Sequence, residues 1–415
     1  MGRNENMKKK IILTILIAIQ MILLTGCWSS KEINELGIVT MITLDIEDGE
    51  IVITAEVIVP KPPMGSTESG NSGSAKYVQG KGKTLFEAVR NTTLQFDRRL
   101  YLAHNQIFIL SEEFAREGLE EYTDFILRDH ELRETTQLLV AKGGKAYELI
   151  GISGGIEELS GAYIENLVKN IKFNSKAVSA TLTDYMRNYY DVEIQPVLGK
   201  IERKEMTVEK IKGKKEKTTG LTIEGASVFN RGKLVGFLDG DETRGYNFVR
   251  NKIQGGVIEF PTPQTSKARS AINSQNSKGN ENTVVEITRS KTKNYIEIQD
   301  GKIVLKTQVK IIGMLGEETG NIDTSNAEVL KLLEKSCSNQ VKRQIEKVIK
   351  KVQDEYSTDI FGYGKQYHRK DSKGWNKIRN NWDDIFAHAE VLIDVNTEIV
   401  RTGLVNKPSS KVKGK

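Results

Sequence analysis

The sequence predicts a mixed α+β protein of several units, with a largely antiparallel sheet and a long amphipathic helix in its C-terminal half. Three observations carry this reading. Short β-rich runs alternate with capped helices through the first half, three β-runs follow one another after residue 282, and apolar residues then recur every three or four positions from Leu330 to Tyr356. A length of 415 residues allows two or three compact units, and 38% hydrophobic residues is enough to build their cores.

The first element is a leader. Lys8, Lys9 and Lys10 precede an apolar run over 11–24 interrupted only by Thr14 and Gln20. As a helix those positions would span about 21 Å, short of a hydrocarbon core of about 30 Å, so the run reads as a signal peptide with Met7 a plausible true start. It ends in Leu24-Thr25-Gly26-Cys27, a lipobox pattern. The thiol of Cys27 is the nucleophile that would take a diacylglyceryl group, and the small residues before it would let a peptidase cut between Gly26 and Cys27, after which the new amine would be N-acylated. Two or more acyl chains, at about 0.8 kcal/mol per buried CH₂, make a stable anchor.

The exported part follows. Runs at 38–46 and 50–59 flank Asp48-Gly49, a hairpin pair, and a Pro-, Gly- and Ser-rich stretch to residue 74 reads as a loop. Thr84 and Glu87 form a capping box opening a helix to about Leu94; a strand at 103–110 then leads to Ser111, an N-cap for helices over 112–129. A strand at 136–141 and a helix at about 144–151 complete an N-terminal α/β region assigned to 27–205, with room for two subdomains. Lysine-rich residues 206–220 read as a linker to a C-terminal α/β domain over 221–404. There, runs at 221–229 and 233–238 flank the turn Asn230-Arg231-Gly232, residues 261–282 read as a polar loop, and strands are expected at 283–288, 293–298 and 302–312. Ser325 and Glu328 form a second capping box before the long stripe, which includes Cys337 as a packing thiol, and a last β-run covers 387–401. Residues 405–415 are a basic tail, read as a solvated, disordered end.

Charge excludes one class of function. The formal +6 divides into +3 on residues 1–26, +5 on the last fifteen and −2 on everything between. A duplex binder needs a basic face to displace phosphate counterions, and the body has no such excess. Two cysteines and four histidines, without C-x-x-C, H-x-x-x-H or H-E-x-x-H, give no thiolate cluster, zincin site or other metal site, and no cofactor motif is present.

Other motifs imitate catalysis. Gly151-Ile152-Ser153-Gly154-Gly155 matches G-x-S-x-G, but a nucleophile elbow needs a strand before the serine, and 146–150 reads as a helix end. Gly82-Lys83-Thr84 imitates the end of a P-loop whose first glycine would fall on Tyr77. His104 and His130 read as hydrogen-bonded fold residues, and Asp239-Gly240-Asp241-Glu242-Thr243 as the acidic start of a helix rather than a calcium loop. No catalytic constellation emerges, so the chain is read as a non-enzyme.

The mature start, Cys27-Trp28-Ser29-Ser30-Lys31-Glu32-Ile33-Asn34-Glu35-Leu36, resembles that of the Ger(x)C family, the lipoprotein C subunits of bacterial spore germinant receptors. Further blocks follow in the family's order: Glu87-Ala88-Val89-Arg90; Tyr101 through Glu113, with Gly118-Leu119, Arg128-Asp129 and Leu132-Arg133; Gly225 through Phe229 with Lys233 through Gly236; Glu242-Thr243-Arg244-Gly245; Phe361-Gly362-Tyr363-Gly364; Trp375; and Trp382 through Phe386. The resemblance runs from Cys27 to about Leu404, with longer loops at 64–74 and 261–282 and with Ser29-Ser30 where charged residues are commoner. It implies a membrane-tethered, non-enzymatic subunit on the outer face of the spore inner membrane, partnered by two integral-membrane (A- and B-type) subunits in a nutrient sensor needed for germination. It implies an elongated arrangement of several α/β domains, and it gives a role to Cys27 alone. Two other readings are open from the residues: a solute-binding lipoprotein of an importer, which predicts two similar lobes joined by crossover strands, and a surface hydrolase using Ser153.

Overall fold

The computed structural model describes residues 7, 10–16, 35–59, 74–128, 131–152, 155–210, 214–263, 281–319, 324 and 326–401. Of the leader, residues 10–16 are helical, and Cys27, His130 and Ser153 lie outside the described residues. Among the described residues no helix is long and apolar enough to cross a membrane.

Two sheets organise the chain. β1 (Leu36–Glu47) and β2 (Glu50–Ile58) pair antiparallel through the expected Asp48-Gly49 turn, and β3 (Ala75–Gly82) adds to the far side of β2. After α1 (Leu85–Asn91), the short β4 (Arg99–Tyr101) runs beside the start of β1, and β5 (Ile107–Ser111) returns parallel to β1. The helices expected over 112–129 are α2 (Glu112–Glu117) and α3 (Glu120–Arg128), parted at Gly118, which takes φ 111°, where a side chain is strained. β6 (Gln137–Ala141) extends the parallel set. α4 (Ser160–Lys169) and α5 (Leu182–Tyr189) lead to β7 (Val197–Lys210), which pairs with β6. The sheet is covered on both faces, and its strands show it residue by residue. Leu44, Phe108, Leu110 and Val140 enter the main core, while Met41, Ile107, Ile109 and Leu139 enter a second core under α4.

Of residues 206–220, expected as a linker, those described (206–210 and 214–220) belong to a ribbon of β7 with β8 (Lys214–Thr222) in antiparallel register. Backbone pairing needs no apolar side chains, so polar composition did not reveal it. β9 (Ala226–Asn230) and β10 (Lys233–Leu238) then add to β7, so a hairpin expected in the C-terminal domain completes the ten-stranded first sheet.

α6 (Gly240–Val249) and β11 (Val257–Pro261) open the second sheet, ordered β11–β12–β13–β14. The two strands expected at 283–288 and 293–298 are one, β12 (Asn282–Gln299), kinked by a register shift between Ile287 and Arg289. It pairs antiparallel with β13 (Lys302–Glu318), whose turn is the expected Asp300-Gly301. The long helix, α7 (Ala327–Lys351), buries Val329, Leu333, Cys337, Val341, Ile345 and Val348 and continues as a π-turn to Tyr356. Its N-cap is Asn326, which accepts from Glu328 N at 2.9 Å; Ser325 of the expected capping box lies outside the described residues. Three short helices, α8 (Tyr363–Lys370), α9 (Ser372–Ile378) and α10 (Trp382–His388), lead to β14 (Glu390–Arg401), which lies parallel to β13. One sheet is mixed and ten-stranded, the other four-stranded, so the two halves are not the similar lobes an importer's binding lipoprotein would show.

Candidate functional site

Chemistry-bearing side chains concentrate where α6 and α7 meet the last hairpin of the first sheet. Asp239 caps α6, accepting from Glu242 N at 2.7 Å while Glu242 Oε2 accepts from Asp239 N at 2.8 Å. The acidic stretch is therefore the helix start expected of it. Lys347 reaches Asp239 at 2.7 Å and Glu242 at 3.3 Å, and Lys351 reaches Glu242 at 3.0 Å and the Phe237 carbonyl at 3.0 Å. Burial opposes the charge on Asp239, but the Glu242 amide and then Lys347 hold its carboxyl below the usual carboxylate range. Five residues after Asp239, Arg244 is buried with its Nη1 on the Val257 carbonyl, and Gly245 lets α6 approach α7, since a Cβ there would strike the Gln344 carbonyl. Sequence reading had Arg244 only as part of a family block, with no role.

A second contact zone joins the first sheet to α8–α10. Asp359 is fully buried and accepts from Phe361 N at 2.9 Å, Gly362 N at 2.8 Å, Gly364 N at 2.7 Å and Trp382 Nε1 at 3.2 Å. Burial still pushes its carboxyl above the usual range, the four donors acting against it. Gly362 has φ 82°, the left-handed conformation that lets those amides converge. From the same turn the Asp359 carbonyl accepts from Gln195 N at 2.9 Å, Lys365 pairs with Asp191 at 2.7 Å, and His368 contacts Glu193.

Two more acids work inside the first sheet. Glu56 is 0% exposed and accepts from Thr40 Oγ1 at 2.7 Å, Ser160 N at 2.8 Å and Gly161 N at 2.9 Å, so a carboxylate on β2 caps α4. Asp45 accepts from Ala146 N at 2.6 Å and Tyr147 N at 3.1 Å, yet burial raises its pKa to about 6.

The imitation motifs resolve as structure. Residues 146–149 before Gly151 are a 3₁₀ turn and not the strand a nucleophile elbow needs, while Ser153 itself lies outside the described residues. Thr84 caps α1, accepting from Glu87 N at 3.2 Å, while Glu87 turns to Lys83 N. His104 ends a 3₁₀ turn, exposed, with its ring 6.0 Å from that of Tyr101. Cys337 lies in the α7 core, where burial pushes its thiol up to about 12. Among the described residues no group of three or more metal-ligating side chains is placed to hold an ion.

Fold and site together define a two-sheet α+β scaffold whose described buried carboxylates are committed to backbone amides, helix starts and basic side chains. Two family descriptions span it, "Spore germination protein N-terminal domain" over residues 29–203 and "Spore germination B3/ GerAC like, C-terminal" over 224–403. The chain belongs to the Ger(x)C family of spore germination proteins. It is 26% identical to spore germination protein KC of Bacillus subtilis (strain 168) over 419 residues, covering 97% of this chain and 98% of that one. It is 28% identical to spore germination protein B3 of the same organism over 396 residues, covering 92% and 96%. The crystal structure of the GerBC protein matches with a TM-score of 0.52 at 24% identity, over 86% of this chain and 96% of that chain, a likeness of fold.

Proposed function

We propose that the chain is the lipid-anchored, non-enzymatic subunit of a nutrient germinant receptor, held on the outer face of the spore inner membrane beside two integral-membrane subunits. One observation carries the reading: residues 29–203 and 224–403 match the two spore germination domains in order, just after a lipobox ending at Cys27. The signal peptide would be residues 1–26, and acyl chains on Cys27 would hold the two-sheet body at the bilayer. A body whose buried acids are used for capping and bridging suits a binding and assembly role.

The test is Cys27→Ala in intact spores. The protein should leave the membrane fraction and nutrient-triggered germination should slow; retention together with unchanged germination would remove the anchor assignment. Co-purification of the wild-type chain from spore membranes should bring down two multi-span proteins.

A further inference from the structure

A cleft of about 630 Å³ opens where the first sheet's loops face α6, β11 and α7. One wall carries Arg244, only 5% exposed. Its Nη1 donates to the Val257 carbonyl at 2.9 Å and its Nε has no partner; burial disfavours its charge, and Asp241 and Glu224 support that charge from across the cleft without a direct ion pair among the described residues. Gln344, 7% exposed, lines the same cleft; its Nε2 reaches Asp241 at 3.4 Å and its Oε1 is unpartnered. A guanidinium has five donors in a fork suited to a carboxylate, and burying it with one bond made is costly. The cleft also carries Glu224, Asp241 and Glu259, with Lys176 3.8 Å from Asp241. Three acids against two bases repel a bare anion, and a bare cation would compete with Arg244 for Asp241 and Glu224 while giving its guanidinium no further acceptor.

We propose that this cleft binds a small zwitterion, its carboxylate on the guanidinium of Arg244 and its ammonium held among Glu224, Asp241 and Glu259. Gln344 Oε1 supplies a further acceptor beside the ammonium. The argument uses the cleft alone and not the anchor or receptor reading.

Binding to the purified full-length chain in detergent would be read by ligand-observed NMR with four probes: glycine, γ-aminobutyrate, acetate and methylammonium. At least one zwitterion should bind about tenfold or more tightly than either single-charge probe, a difference of about 1.4 kcal/mol. Arg244→Gln, with its fold checked by circular dichroism, should weaken that binding about tenfold or more. Glu224→Gln should weaken the zwitterion and leave acetate unaffected, and it decides the matter alone if Arg244→Gln does not fold. No binding by either zwitterion, acetate binding as tightly, or zwitterion binding indifferent to the folded variants would overturn the proposal. Each of those results would leave the germination reading untouched.

Discussion

The indole Nε1 of Trp382 donates to the carboxylate of Asp359 at 3.2 Å, fastening the first turn of α10 to the turn before α8. The same carboxylate holds three backbone amides, so four donors depend on one side chain. Asp359→Ala strands all of them in a buried site and should cost about 3 kcal/mol or more, with Asp359→Asn, which keeps one acceptor oxygen, costing less. Urea denaturation checks this; an unchanged midpoint for the alanine variant would refute the clamp.

Asp45 should impose a pH dependence of unusual sign. Its pKa rises from 3.8 to about 6 because burial outweighs its two amide bonds. Between those values the folded chain holds a proton that the unfolded chain has released. This group therefore favours folding below about pH 4, and its contribution is lost as pH rises through about 6, at up to about 1.4 kcal/mol per pH unit. In Asp45→Asn that slope should vanish, whatever the variant's absolute stability. Thermal melts across the interval test it, and a slope equal to wild type would be fatal to the assignment.

Glu56→Ala should act locally. Without the carboxylate, the amides of Ser160 and Gly161 lose their acceptor at the start of α4, and their hydrogen exchange should accelerate well before that of β5. Equal protection in the variant would show that Glu56 is not the cap.

Gly245→Ala should destabilise by about 1–3 kcal/mol, since the new methyl meets the Gln344 carbonyl where α6 crosses α7. A chemical-denaturation midpoint within error of wild type would mean that the helices can separate at little cost.

Cys337 should resist alkylation in the native protein, its thiol buried and pushed up to about 12. Mass spectrometry after iodoacetamide treatment should find it modified only with denaturant present.

What the sequence showed and hid follows from the range of each interaction. The β1–β2 hairpin and the stripe of α7 were legible because turn residues and helical period are local. Long-range devices were not. The residues of α4 carry no side-chain cap of their own, because Glu56 on a distant strand supplies it. Helix α5 did carry a visible signal, the Thr181–Asp184 capping box, which sequence reading passed over. The parallel docking of β14 on β13 joins strands separated by four helices, so no hairpin motif could announce it. At the candidate site, Asp239 and Glu242 were readable as a helix start, whereas the burial of Arg244 with a single hydrogen bond exists only once α6, β11 and α7 are assembled.

The position of β1 bears on how the body meets load. The chain enters the first sheet at Leu36, in a strand paired with β4 over Leu36–Ile38, with β5 over Met41–Leu44 and with β2 from Val39 to Glu47. Tension on the residues before Leu36 along the strand axis would shear these ladders at once, stressing many hydrogen bonds together instead of unzipping them singly. Whatever holds the chain upstream is thus rooted in a mechanically resistant part of the molecule, while the edge strands β3 and β10 carry none of that force directly.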